Sequence, residues 1–128
     1  MAQILVIDDD ASIRELLSTY FEGNGHHVLT AEDGAHGIGM AARHHPDVVI
    51  LDMDMPVLDG HSTIRMLKND PQMADIPVIV LTSHNTDTAR DSMRQAGCTE
   101  FLSKPFELAR VNQVVTHSLK LRPEGTPI

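Results

Sequence analysis

Five short runs rich in β-branched residues recur along the chain, each followed by a longer stretch with helical periodicity. The runs are QILVI (3–7), HVLTA (27–31), DVVIL (47–51), PVIVLT (77–82) and, more weakly, EFLS (100–103). Several are apolar at consecutive positions rather than alternating, as strands covered on both faces of a parallel sheet require. Between them, Ile13, Leu16, Leu17, Tyr20 and Phe21 follow the i, i+3, i+4, i+7, i+8 stripe of an amphipathic helix. Ile38, Ala41 and Ala42 mark a weaker second stripe, diluted by Gly37 and Gly39, each of which costs a helix about 1 kcal/mol against Ala. Ile64 and Leu67 mark a third helix, Ala89, Met93 and Ala96 a fourth, and Leu108, Val111, Val115 and Leu119 a fifth.

The punctuation agrees with this division. GNG (23–25) and AG (96–97) end helices, while Pro46, Pro71 and Pro77 fall between elements. Five strand–helix units in succession define an α/β fold with a parallel sheet and right-handed crossovers. A chain of 128 residues suits one domain with a normal core. RPEGTPI (122–128) has two prolines, a glycine and no apolar period, so it reads as a flexible C-terminal tail.

The first strand runs directly into Asp8, Asp9 and Asp10. Like charges about 4 Å apart repel by roughly 4 kcal/mol even at an effective dielectric near 20, so the triplet needs a purpose. A second acidic group, Asp52 and Asp54, follows the third strand. Ligands of open α/β sheets sit beyond the carboxyl ends of the strands. If strands one and three are neighbours, Asp8, Asp9, Asp52 and Asp54 can converge, and a hard divalent cation is the simplest partner for them. Asp10 fits better as a helix cap, with Ser12 in the capping-box stretch SIRE (12–15) as the competitor. Thr82 and Ser83 end the fourth strand, where hydroxyl and N–H groups can meet an anion, and Lys104 ends the fifth, held by Pro105. A carboxylate nucleophile, a cation, a hydroxyl and an ammonium are what holding a phosphoryl group on an aspartate requires.

Charge and cysteine use exclude several classes. Eighteen acids against ten Lys and Arg give a formal charge of −8, which disfavours nucleic-acid and anionic-membrane surfaces. Cys98 is the only cysteine, so no intrachain disulfide forms, as suits a reducing cytoplasm. The N-terminus lacks the pattern of a signal peptide, and no apolar run approaches a membrane span. Apart from His84, the histidines (26, 27, 36, 44, 45, 61 and 117) show no metal-ligand spacing.

In their order and spacing, ILVIDDD, LDMDMPVLDG, VIVLTS and GCTEFLSKPF resemble the receiver domain of two-component response regulators, over about residues 3–121. TAEDG (30–34) and HPDVVILD (45–52) fit the same resemblance. It implies a flavodoxin-like, doubly wound (βα)5 domain over 1–121, with strand order 2-1-3-4-5 and helices on both faces. It implies that Asp52 accepts a phosphoryl group from a histidine kinase or phosphotransfer protein. Mg2+ or Mn2+ would be held by Asp9, Asp52 and the Asp54 backbone carbonyl, with Asp8 acting through bound water. Thr82 and Lys104 would contact phosphoryl oxygens, Lys104–Pro105 would be cis, and Phe101 would be the aromatic switch beside Thr82. Asp54 and His84 would stand where dephosphorylation is tuned. The implied protein is a cytoplasmic, chemotaxis-regulator-like monomer or weak dimer that assists its own phosphorylation and dephosphorylation without being an enzyme. It would signal to a downstream protein, with no direct nucleic-acid or membrane contact. Two rivals share parts of the pattern. DMD (52–54) looks like the nucleophile–acid pair of a haloacid-dehalogenase-type aspartyl-phosphate phosphatase, although that motif normally follows the first strand. A flavodoxin-like FMN carrier would need a phosphate loop where three aspartates stand.

Overall fold

The computed structural model describes residues 2–55 and 59–120, so the expected tail at 122–128 lies outside the described residues. The five expected strands form as β1 (Gln3–Ile7), β2 (His27–Ala31), β3 (Val48–Asp52), β4 (Val78–Thr82) and β5 (Glu100–Ser103). They alternate with α1 (Ala11–Gly23), α2 (Gly34–His44), α3 (Gly60–Asn69), α4 (Asp87–Ala96) and α5 (Leu108–Lys120). All pairings are parallel and the order is β2-β1-β3-β4-β5, the order the resemblance implied. Asp52 belongs to β3 itself, as its last residue, rather than following it.

The sheet explains why the strands are apolar at every position. Leu5, Ile7, Val49, Leu51, Val78 and Val80 point into one core with Ala41, Ile64, Leu67 and Met93 from α2, α3 and α4. Ile4, Val6, Val48, Ile50, Ile79 and Leu81 point into the other, with Leu17 and Phe21 of α1 and Val111 and Val115 of α5. Side chains alternate across a strand, so two covered faces demand two apolar sets.

Caps fix the helix starts. Asp10, Asp33 and Asp59 each accept a backbone N–H from the first turn of the next helix, and Thr86 does the same for α4. This settles the choice at α1, where Asp10 accepts from Ser12 N at 2.8 Å. Gly97 ends α4 at φ 115°, a left-handed conformation that favours glycine. Less expected, His45 closes α2 at φ 48°.

Two positions on the helical stripes depart from expectation. Leu16 is 44% exposed, on the edge of the α1 stripe. Ala42 is exposed, and the buried line of α2 runs through Gly34, Gly37 and Ala41 instead. Gly37 therefore does more than dilute a stripe. A Cβ there would collide with the side chain of fully buried Ile7, so the missing carbon lets α2 lie close against β1. Gly39 has nothing within 4 Å of such a carbon. Gly37→Ala is expected to lower stability by about 1–3 kcal/mol through overpacking, despite better helix propensity. Gly39→Ala should raise it by about 0.5–1 kcal/mol. Urea denaturation separates the two; equal shifts would show that the α2–β1 contact is not limiting.

Candidate functional site

The strand order places β1 beside both β2 and β3, so the chain reverses direction across the sheet at the carboxyl ends of β1 and β3. Ile7 is level with Leu51 in the register, which puts Asp8 level with Asp52. Both carboxylates are buried, at 2% and 3% exposure, whereas Asp9 is open to solvent. One oxygen from each of Asp8, Asp9 and Asp52 lies within 4.8 Å of the others. Ligands of a Mg2+ ion at about 2.1 Å can stand no more than roughly 4.2 Å apart, so a contraction of well under 1 Å would close them round a cation. Oxygen-only donors, one of them facing water, suit a hard ion that keeps part of its hydration shell.

Lys104 supplies the opposite charge from the far side. Its ammonium donates to Asp52 Oδ1 at 2.7 Å and stands 3.4 Å from Asp54 Oδ2. Its backbone N–H donates to the Thr82 carbonyl at 2.8 Å, extending the β4–β5 ladder by one rung. The Lys104–Pro105 peptide is cis. Asp52 Oδ1 also accepts the Asp54 N–H at 2.9 Å, and its Oδ2 takes no hydrogen bond among the described residues. One oxygen is thus held and the other is free to meet an electrophile or a cation.

The Asp54 side chain turns away from the acidic cluster. Its Oδ2 accepts from both the backbone N–H and the hydroxyl of Ser83, at 3.1 and 2.9 Å, and its Oδ1 lies 3.2 Å from His84 Nδ1. The Ser83 donors, expected to meet an incoming anion, meet this carboxylate. Asp54 is therefore not a side-chain member of the cluster. The Thr82 hydroxyl is buried and engaged with the next loop, accepting His84 N–H at 3.0 Å and donating to His84 O at 3.4 Å.

Titration reflects these surroundings. Burial, reinforced by the nearby Asp52 and Asp9 charges, raises the Asp8 carboxyl to about 6 against the relief from the Asp10 N–H and Lys104. Partial burial opposes the Asp54 charge, but the two Ser83 donors and Lys104 outweigh it and hold Asp54 below the usual carboxylate range. Burial also opposes the Lys104 charge, and the bond to Asp52 with the nearby acids overcomes it, so Lys104 stays protonated above its ordinary range. Asp8 stands apart as the acid whose charge lacks a sufficient partner.

Arg14, one turn into α1, had no motif to single it out. Its Nη1 donates to the Asp8 carbonyl at 2.7 Å, tying the β1 end to the helix that follows. Only its spacing from Asp10, a single helical turn, hints at this.

The structure is thus a doubly wound domain with paired acids and a lysine gathered at its strand-order reversal. The chain belongs to the response regulator receiver domain family, whose model matches residues 4–116. It is 36% identical over 107 residues to Protein PilH of Pseudomonas aeruginosa, covering 84% of this chain and 88% of that protein. It is 39% identical over 106 residues to Response regulator MprA of Mycobacterium leprae, covering 83% of this chain but 46% of that one. The chain thus spans less than half of several regulators it matches. Among solved structures, chemotaxis protein CheY4 of Vibrio cholerae superposes with a TM-score of 0.88 at 29% identity, covering 92% of this chain and 98% of that one. The receiver domain of the sensor histidine kinase PA1611 of Pseudomonas aeruginosa, with magnesium coordinated in its active-site cleft, gives 0.85 at 26% identity, covering 93% and 98%. The chain is a two-component phosphoacceptor signalling domain, and nothing in these relationships favours the dehalogenase-type phosphatase. No helix among the described residues is long and apolar enough to cross a membrane.

Proposed function

We propose that Asp52 is the phosphoacceptor. The observation that carries this is a buried carboxylate at the β3 end with one oxygen on Lys104 at 2.7 Å, the other unengaged, and two further acids within cation-sharing distance. The free oxygen attacks the phosphorus of a phosphohistidine on a histidine kinase or phosphotransfer protein. A P–O bond forms, the P–N bond breaks, and the imidazole leaves with the electron pair. Mg2+ or Mn2+, held by Asp9, Asp52 and the Asp54 carbonyl with Asp8 behind bound water, supplies charge neutralisation when present. Lys104 pairs with one phosphoryl oxygen, and the Thr82 hydroxyl leaves His84 to meet another. Phe101 on β5 relays that movement to a protein-binding face, so the domain passes its state to a downstream protein in the cytoplasm. A formal charge of −8 makes nucleic acid a poor direct partner.

The test is incubation with acetyl phosphate and Mg2+, followed by intact mass and peptide mapping. A metal-dependent gain of one phosphoryl group on the peptide carrying Asp52 supports the reading, and a phosphoryl group on another residue overturns it. For the cation, Asp9→Ala should weaken Mg2+ binding by about tenfold or more in a calorimetric titration, since the ligand set shrinks while the exposed position tolerates Ala. Unchanged affinity would remove Asp9 from the ligand set.

A further inference from the structure

Helix α4 carries two arginines one turn apart, and both reach over β5. The Arg90 guanidinium carbon stands 4.9 Å from the centre of the Phe101 ring, and that of Arg94 stands 5.2 Å from it. Arg90 Nε is buried and has no hydrogen-bond partner among the described residues. The electron-rich face of the ring is therefore a partner for that charge. Arg94 is more open and is shared with Asp91, 3.9 Å away.

The ring sits where it can feel the phosphorylation site. Phe101 lies in the same row of the sheet as Leu51 and Val80, one rung before Asp52, and packs against the core that holds Met93 and Ala96. Two residues further on, Ser103 pairs with Thr82, and its hydroxyl accepts from the Asn85 amide at 3.1 Å. Thr86, at the end of the same loop, caps α4. The arginine contacts coexist with a Thr82 hydroxyl engaged by His84 and not by Asp52. On the Asp52 reading, an arrangement with Thr82 bonded to His84 instead of Asp52 is the resting one.

We propose that Arg90, assisted by Arg94, is a positioning residue that clamps the Phe101 ring in this resting arrangement, setting how readily the domain switches. The proposal rests on the reading of Asp52 as phosphoacceptor. Phenylalanine has no hydroxyl to anchor it, and the two guanidiniums take over that role through the ring face. A contact made in only one of two states biases the equilibrium by its full strength, so the clamp lowers affinity for whatever favours the other state.

The experiment measures affinity for beryllofluoride, a phosphoryl mimic, with Mg2+ in the intact chain. Arg90→Gln is expected to tighten binding about threefold to tenfold, and Arg90→Lys, which keeps a cation, to stay near wild type. In a Phe101→Leu background, Arg90→Gln should have no effect. Stepwise fluorination of the Phe101 ring, which drains its face of electron density at nearly constant shape, should tighten binding stepwise. A merely structural arginine would respond to neither the lysine rescue nor the fluorination series. Wild-type binding with an unchanged Arg90→Gln affinity overturns the clamp alone, as does an equal effect of Arg90→Gln in the Phe101→Leu background. A wild type that binds no beryllofluoride overturns the Asp52 reading and the clamp with it.

Discussion

Asp52→Asn is expected to reduce acetyl-phosphate-dependent labelling to background while leaving the protein folded. The amide offers a far weaker nucleophile than the carboxylate and cannot form a stable acyl phosphate. Its geometry is otherwise conservative, since an amide oxygen can still accept from Lys104 and from the Asp54 N–H, the two bonds now made by Asp52 Oδ1. Removing one charge from a pocket that also holds Asp8 and Asp9 relieves repulsion, so the melting temperature should hold or rise. Full labelling of the variant would move the chemistry to another residue, and an unfolded variant would show that the Asp52 charge is needed to pair Lys104.

The fold and the acidic site were legible in the sequence because both are local signals repeated along the chain. Each strand is a short buried run, and each candidate acid or lysine stands at or just past a strand end, so the topology gathers Asp8, Asp9, Asp52 and Lys104 with no further information. What stayed hidden depends on how far a side chain reaches or how closely two elements approach. Gly37 looks like a helix defect until Ile7 is seen beneath it. Lys68 looks like a surface lysine, yet its ammonium donates to the Ala74 and Ile76 carbonyls at 3.0 and 2.7 Å and ties the end of α3 to the loop before β4. The Ser83 hydroxyl belongs to Asp54, and Arg90 and Arg94 belong to Phe101. None of these pairs has a fixed sequence spacing. Long flexible side chains choose partners by the tertiary fold, and periodicity carries no record of that choice.

Asp8→Asn should stabilise the metal-free protein and weaken its response to Mg2+. Asp8 is buried and its carboxyl is raised from 3.8 to about 6, mainly by burial. The folded state therefore binds more protons than the unfolded state between about pH 4 and 6, and stability falls as pH rises through that window. A tenfold change in proton affinity is worth about 1.4 kcal/mol, so at neutral pH the charged form costs about 3 kcal/mol relative to a freely solvated aspartate. Asparagine removes the charge yet keeps an oxygen to accept the Asp10 N–H, now 2.9 Å from Asp8 Oδ1. A rise in melting temperature of roughly 5–10 °C is expected at pH 7.5 in chelator. The gap between variant and wild type should narrow at pH 4.5, where the wild-type carboxyl is largely protonated and most of the cost is gone. Mg2+ should raise the wild-type melting temperature by mass action and raise that of the variant by less. A variant less stable than wild type in chelator at pH 7.5, or a gap that does not change with pH, would refute the view that this acid destabilises the fold to prepare a cation site. On that reading, the stability given up at Asp8 would be recovered on cation binding, which would couple metal loading to the domain's folding equilibrium.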